Sequence, residues 1–327
     1  MREEKETTDR SRREFIKYGV AAAGAAALGL VGYPLFSKPS YATSALAAPT
    51  TYQGPLIDGH DHYSFSESIE RPVDELISQM KQAGVSKMVA FSDLGRIGAL
   101  KRYPEYFIPS FQIARVISSD VPGIVDEIRR ALDSGFIGIG EIAYRSSGAK
   151  ENVAADNPLA KQIVDLAAER GAVIVIHQEV GTKQYGADYV PEFEGLLDHN
   201  KNVTIIWAHV GYAKPDTAAK LMTAHSNLYA DLSTRTPGHD LSAYSGFIAD
   251  HEGTVLPAWR QVFEKYPERF MFGTDNVFET RDKKFQDYFL TETAFFRKVL
   301  GQLPLDLAEK IGYTNIQKLM NPEKPIN

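Results

Sequence analysis

Cysteine is absent from the 327-residue chain. That excludes a disulfide framework, a thiolate zinc or iron–sulfur site, a thiol nucleophile and an anchor on a modified cysteine. An excess of positive charge is also absent. The 36 basic and 42 acidic side chains leave a formal net charge of −6. This argues against a dedicated nucleic-acid binder, which presents a basic patch or stripe. Residues 50–327 hold no low-complexity linker and no short repeat. What remains is ordinary globular composition, 43% hydrophobic and 24% charged. The length allows one large domain or two smaller ones.

Residues 1–47 differ from the rest. Ser11-Arg12-Arg13-Glu14-Phe15-Ile16-Lys17 precedes an uncharged Ala/Gly-rich stretch over 18–36, and Ala45 and Ala47 give a small-x-small pattern. The segment resembles a twin-arginine export signal cleaved after Ala47. The alternative is a retained anchor, because the uncharged stretch is long enough to span a bilayer. The resemblance implies the twin-arginine export machinery as a partner and a periplasmic or extracellular location. After cleavage, residues 48–327 would form the functional domain, with 29 basic and 37 acidic side chains and a net charge of −8. No stable membrane association is then expected.

In 50–327 a strand-like apolar run followed by a helix-like segment recurs eight times. The runs are 56–62, 87–92, 107–114, 138–144, 173–179, 203–211, 228–233 and 270–276. Consecutive apolar positions, as in Val173-Ile174-Val175-Ile176, suit parallel strands buried on both faces. Segments 72–83, 121–132 and 158–170 carry helical spacing. Pro72 and Pro158 suit first turns, and Gly84, Gly135 and Gly171 suit C-terminal caps. Eight such units predict a (β/α)8 TIM barrel. An open doubly wound sheet would need a glycine-rich phosphate loop after its first strand, where the chain reads Asp58-Gly59-His60-Asp61-His62.

Catalytic groups of such a barrel come from the carboxyl ends of its strands. Run one ends in His60-Asp61-His62, run four carries Glu141, run five ends in His177, run six in His209 and run eight in Asp275. His60 and His62, two apart on a strand, point to the same side and can share one metal ion. Asp61, between them, points away and reads as structural. His177 and His209 add nitrogen donors at the same end; Glu141 and Asp275 add oxygen donors. Imidazole and carboxylate suit zinc, manganese, iron or cobalt. Taken singly each has a plainer reading: an ordinary core or surface histidine, Glu141 paired with Arg145, or Asp275 capping a helix.

As a set, His-x-His, Glu, His, His and Asp on strands one, four, five, six and eight resembles the amidohydrolase superfamily. The likeness covers essentially all of 48–327. Asn227–Ser233 and the tail Lys310-Ile311-Gly312-Tyr313-Thr314-Asn315 resemble its amidohydrolase-related branch. The resemblance implies that His60, His62 and Asp275 hold one metal ion, His177 and His209 a second, and that Glu141 bridges them. Zinc is the first expectation. One-metal relatives instead use the positions of His60, His62, His177 and Asp275 and leave that of His209 to polarise substrate. Asp275 would move protons and His209 would assist at the developing oxyanion, in hydrolysis of an ester, lactone, amide or phosphoester of a small molecule. Arg145 and Arg235 are candidates to bind an anionic group. Tyr144, Lys183, Tyr185, Tyr212 and His239 are candidates for the mouth, and loop 234–254 for a lid. The alternatives are a one-metal non-oxidative decarboxylase of the same family, an exported binding protein, and a nuclease. The negative charge disfavours the nuclease.

Overall fold

The computed structural model describes residues 51–66, 69–70, 72–113, 121–147, 149, 152–237, 246–277 and 287–320. The expected export segment 1–47 and His239 lie outside the described residues. Among the described residues, no helix is long and apolar enough to cross a membrane.

Eight parallel strands follow one another around a TIM barrel in chain order. They are β1 (Leu56–His62), β2 (Val85–Ser92), β3 (Phe107–Ile113), β4 (Gly138–Arg145), β5 (Val173–Gln178), β6 (Ile205–Trp207), β7 (Leu228–Asp231) and β8 (Phe270–Met271). The ladder runs from β1 to β8. The seam between β8 and β1 is closed by backbone bonds beyond the end of β8. Gly59 N–H donates to Phe272 O (2.9 Å), and the N–H groups of Thr274 and Asp275 both donate to His60 O (3.1 and 2.7 Å). A Cβ on Gly59 would lie 2.9 Å from Phe272 O, so glycine permits this approach. A short hairpin, Ser64–Ser66 with Ile69–Glu70, follows β1.

Alternation along the strands sorts the core into two apolar sets. Ile57, Val89, Phe91, Ile108, Val173, Val175, Ile206 and Met271 cluster together, with Ile316 and Met320 from the C-terminal segment. This set fills the barrel interior. The intervening residues, such as Ile174, Ile176 and Ile205, join a larger cluster with the surrounding helices. That parity carries Val173, Val175 and then His177 along one face of β5.

Helices α1 (Val73–Ala83), α2 (Ile124–Asp133) and α3 (Pro158–Arg170) occupy segments expected to be helical. α1 and α3 end on left-handed glycines, Gly84 (φ 67°) and Gly171 (φ 62°). α2 starts at Ile124 rather than 121, because Gly123 takes φ 76° and the helix cannot extend back through it. α3 begins where Asn157 Oδ1 accepts from Ala160 N (3.0 Å), with Pro158 in its first turn. Replacing Asn157 with Ala should cost about 1 kcal/mol of stability, read by urea unfolding. A cost below a few tenths would mean that the cap contributes little.

β6 and β8 are shorter than the apolar runs suggest. After Trp207 the chain turns left-handed at His209 (φ 55°), Val210 (φ 41°) and Gly211 (φ 57°). After Met271 it leaves the ladder, and Asp275 takes φ 54°. His209 and Asp275 therefore stand on strained turns just past their strands, not on the strands themselves.

Candidate active site

Six side chains converge at the carboxyl end of the barrel. β1 delivers His60 and His62. Its pairing with β2 shifts register between Asp58 and Asp61. β4 delivers Glu141 from a second shift, where pairing with β5 passes from Ile139↔Ile174 to Ile142↔Ile176. Gly140, next to it, has φ 117°, and a Cβ there would lie 2.2 Å from Val175 O. β5 delivers His177, and the turns after β6 and β8 deliver His209 and Asp275.

Glu141 is the centre of the arrangement. Its Oε2 lies 3.5 Å from His62 Nε2 and 3.9 Å from His60 Nε2. Its Oε1 lies 2.9 Å from His177 Nδ1 and 3.3 Å from His209 Nε2. Two donor triads result, His60–His62–Glu141 and Glu141–His177–His209, each with ligand atoms within 4.8 Å of one another. Asp275 spans both. Its Oδ1 is 3.2 Å from His62 Nε2 and 3.5 Å from His60 Nε2, and its Oδ2 is 3.8 Å from His209 Nε2. Phe91 closes the floor edge-on to the rings of His60 and His62.

Outer partners decide which ring nitrogen faces inward. Asp231 Oδ2 meets His60 Nδ1 at 2.9 Å, Ser233 Oγ meets His209 Nδ1 at 2.8 Å, and Glu179 Oε1 meets His177 Nε2 at 3.2 Å. Asp231 Oδ1 also accepts from the backbone N–H of His209 (3.1 Å) and of Ser233 (3.1 Å). One buried carboxylate thus fixes two of the histidines. Below them Asp58 accepts from the backbone N–H of His60 and of Thr274 and from Thr274 Oγ1. Asp61 Oδ2 also accepts from that hydroxyl (3.2 Å). Asp61 is fully buried. Burial and the neighbouring Asp61 push the Asp58 pKa up.

The field at the site is strongly negative. Burial opposes protonation of the histidines, but the carboxylates outweigh it. Asp231, then Glu141 and Asp275, raise the His60 pKa to about 9. Asp275 and Glu141 raise that of His62 to about 10, and Glu141 and Glu179 raise that of His177 to about 10. Burial would raise the Glu141 pKa, but hydrogen bonds from His177, His209 and His62 hold it well below the usual carboxylate range. The same field that attracts protons attracts a divalent cation, whose binding displaces them. His60 Nε2 is buried, faces the carboxylates and has no hydrogen-bond partner. An orphaned inward nitrogen among oxygen donors, with no thiolate nearby, fits a hard or borderline divalent cation.

The two arginines expected to meet substrate are engaged by the protein. Arg145 forms a two-pronged ion pair with Glu192 (2.8 and 2.9 Å), not with Glu141. Arg235 is buried and donates to the carbonyls of His209 (2.8 Å), Ala213 (2.9 Å) and Gly246 (2.8 Å). Among the mouth candidates, Tyr212 stacks on His209 (centroids 5.4 Å) and shares a hydrogen bond with Thr234 Oγ1. Tyr185 is buried against Tyr189, Tyr144 is buried in the core and Lys183 is exposed. The described flanks of loop 234–254 are packed: Ile248 N–H donates to Arg235 O, and Leu256 N–H to Ile248 O. Asp231, Ser233 and Glu179 were not singled out from sequence. Glu179 stands two residues after His177, so the alternation that pairs His60 with His62 would have found it.

A (β/α)8 barrel with histidines and carboxylates gathered at the strand ends defines an enzyme of the amidohydrolase superfamily. The chain belongs to the amidohydrolase family, whose sequence model matches residues 99–321. That match includes Glu141, His177, His209 and Asp275 and begins after β1. No curated protein matches the chain. Solved structures share the fold. An uncharacterised TIM-barrel protein of Bordetella bronchiseptica is 13% identical, with a TM-score of 0.59 over 82% of this chain and 99% of that one. The 5-carboxyvanillate decarboxylase of Sphingomonas paucimobilis is 14% identical, with a TM-score of 0.54 over 81% and 98%. A dihydroxybenzoic acid decarboxylase of Polaromonas, solved with bound manganese, is 12% identical, with a TM-score of 0.54 over 81% and 96%.

Proposed function

We propose that the protein is a metal-dependent hydrolase of small molecules, exported by the twin-arginine route. One observation carries the reading of the reaction: Glu141 presents one oxygen to each of two histidine pairs. A carboxylate so placed suits a bridge between two cations. His60, His62 and Asp275 would hold one ion and His177 and His209 the other, with zinc the first expectation and manganese, iron or cobalt compatible. Bound there, a divalent cation lowers the pKa of water from about 15.7 toward about 7, making hydroxide available near neutral pH.

The chain's own residues supply the rest. The Asp275 side chain is 12% exposed, about as open as Glu141 and His177 at 13% each, while His60, His62 and His209 are enclosed. Its carboxylate would take a proton from the attacking water and return it to the departing oxygen or nitrogen. His209, held by Ser233 and by the backbone contact to Asp231, would keep its Nε2 aimed at the second ion. Only with a single ion would that nitrogen be free to face the reacting carbonyl or phosphoryl oxygen. Phe91 and Tyr212 pack their rings against His60 and His209 and restrict how those imidazoles can turn.

A second reading, decarboxylation of an aromatic acid, is favoured by the fold neighbours that decarboxylate 5-carboxyvanillate and dihydroxybenzoic acid. Metal analysis combined with turnover separates the two. For the hydrolase, we expect two ions per chain and turnover of an ester, lactone, amide or phosphoester that stops on chelation and returns on metal add-back. One ion per chain with carbon dioxide release from aromatic acids would replace it with the lyase. Activity unaffected by chelation would overturn both.

A further inference from the structure

We propose that Glu179 is a positioning residue that sets the affinity of the ion held by His177 and His209, by fixing the ring of His177. The inference rests on the metal reading above. Glu179 is 1% exposed and its backbone is pinned, its N–H donating to Arg145 O (3.0 Å). The next N–H, of Val180, donates to Gly211 O (3.0 Å). A Cβ on the following Gly181 would fall 1.9 Å from Tyr212 O, so the segment abuts the His209 turn directly.

The carboxylate is saturated. Oε1 receives Ser147 N–H (2.8 Å) and faces His177 Nε2 (3.2 Å). Oε2 receives the hydroxyls of Thr182 (2.9 Å) and Ser147. An ionised carboxylate offers about four lone-pair sites, and all are taken. Glu179 therefore has no site left for a cation or substrate. It can act only through His177. Accepting the Nε2 proton leaves Nδ1 as the electron pair that points at Glu141. A negative charge on the far side of an imidazole also raises its basicity as a ligand. Asp231 and Ser233 do this work for His60 and His209 together. Glu179 does it for His177 alone, so its loss should strike one ion and spare the other.

The test is calorimetric titration of manganese into the chelator-stripped full chain and its Glu179→Gln variant, with thermal midpoints recorded for both. We expect one of the two ions to bind about 10–100-fold more weakly in the variant, the other to bind as before, and the midpoint to stay close to wild type. Unchanged affinity for both ions in a folded Glu179→Gln chain would overturn the proposal. So would an equal loss of both ions with a large fall in midpoint, which marks a structural role. If the wild-type chain bound no divalent ion, the metal reading itself would fail, and this inference with it. If Glu179→Gln does not fold, Ser147→Ala and Thr182→Val, each releasing the carboxylate on one side, replace it in the titration. A several-fold weakening of the same ion supports the proposal, and wild-type affinity overturns it.

Discussion

Changing Asp275 to Asn should lower kcat/KM for the hydrolysed substrate by about 10³-fold, within the range for removing a general acid–base group. That is about 4 kcal/mol of transition-state stabilisation. The substitution is well suited to isolating charge. Asp275 holds φ 54°, a left-handed backbone that Asn adopts as readily as Asp. Its N–H bond to His60 O, part of the barrel seam, is backbone and survives. The amide keeps the shape of the carboxylate but cannot accept a proton at neutral pH. The cluster Glu141–His177–His209 does not include Asp275, so the ion there should be retained. The check is steady-state kinetics beside metal content and thermal midpoint. Wild-type turnover in a metal-loaded Asp275→Asn chain would remove Asp275 from the proton path. A loss of kcat/KM that tracked a loss of both ions would reassign it to metal binding alone.

How much of this could be read from sequence depended on whether the controlling contact was local. β1 and α3 have the bounds expected of them. In β1 every residue is buried and the ligand pair closes the strand; in α3 Asn157, Pro158 and Gly171 mark both ends locally. His60 and His62 could be paired because residues two apart on a strand share a face, and Glu141 and His177 could be noticed as polar residues in or closing apolar runs, both local properties. The register shifts that aim Glu141 and the β1 pair are not local. Nor could the ends of β6 and β8 be read locally. Trp207-Ala208-His209-Val210 continues an apolar run, and a β-branched residue such as Val210 does not announce φ 41°. That turn is held by tertiary bonds, from Asp231 to the His209 N–H and from Arg235 to the His209 carbonyl. Asp231 meets His60 across 171 positions, a contact made only when the barrel closes. Arg235 reads in sequence as a candidate to bind an anionic group, because nothing local shows the carbonyls that surround it.

Those carbonyls make Arg235→Ala the substitution with the largest expected effect on stability. The guanidinium lies in a slot between the Trp259 ring (5.0 Å) and the Tyr212 ring (5.9 Å). Burial pulls its pKa down to about 9, against the pull of Tyr212 and Asp231, so it stays cationic at neutral pH. Removing it leaves the carbonyls of His209, Ala213 and Gly246 without this donor, at about 1 kcal/mol or more each. It also opens a cavity beside Trp259. The combined cost should be about 4 kcal/mol, which for a barrel of this size lowers the thermal midpoint by roughly 10 °C. Arg235→Lys should recover little, because one ammonium cannot reach three carbonyls in the planar spread of a guanidinium. Turnover should fall as well, since the left-handed turn presenting His209 loses its clamp, and the fall should appear in kcat. The alternative is that Arg235 grips an anionic group of the substrate. In that case Arg235→Ala would raise KM and leave the midpoint within about 2 °C, a shift corresponding to less than about 1 kcal/mol. Thermal unfolding and a KM-against-kcat comparison on the same variant therefore decide whether this buried cation braces the catalytic turn or binds the substrate.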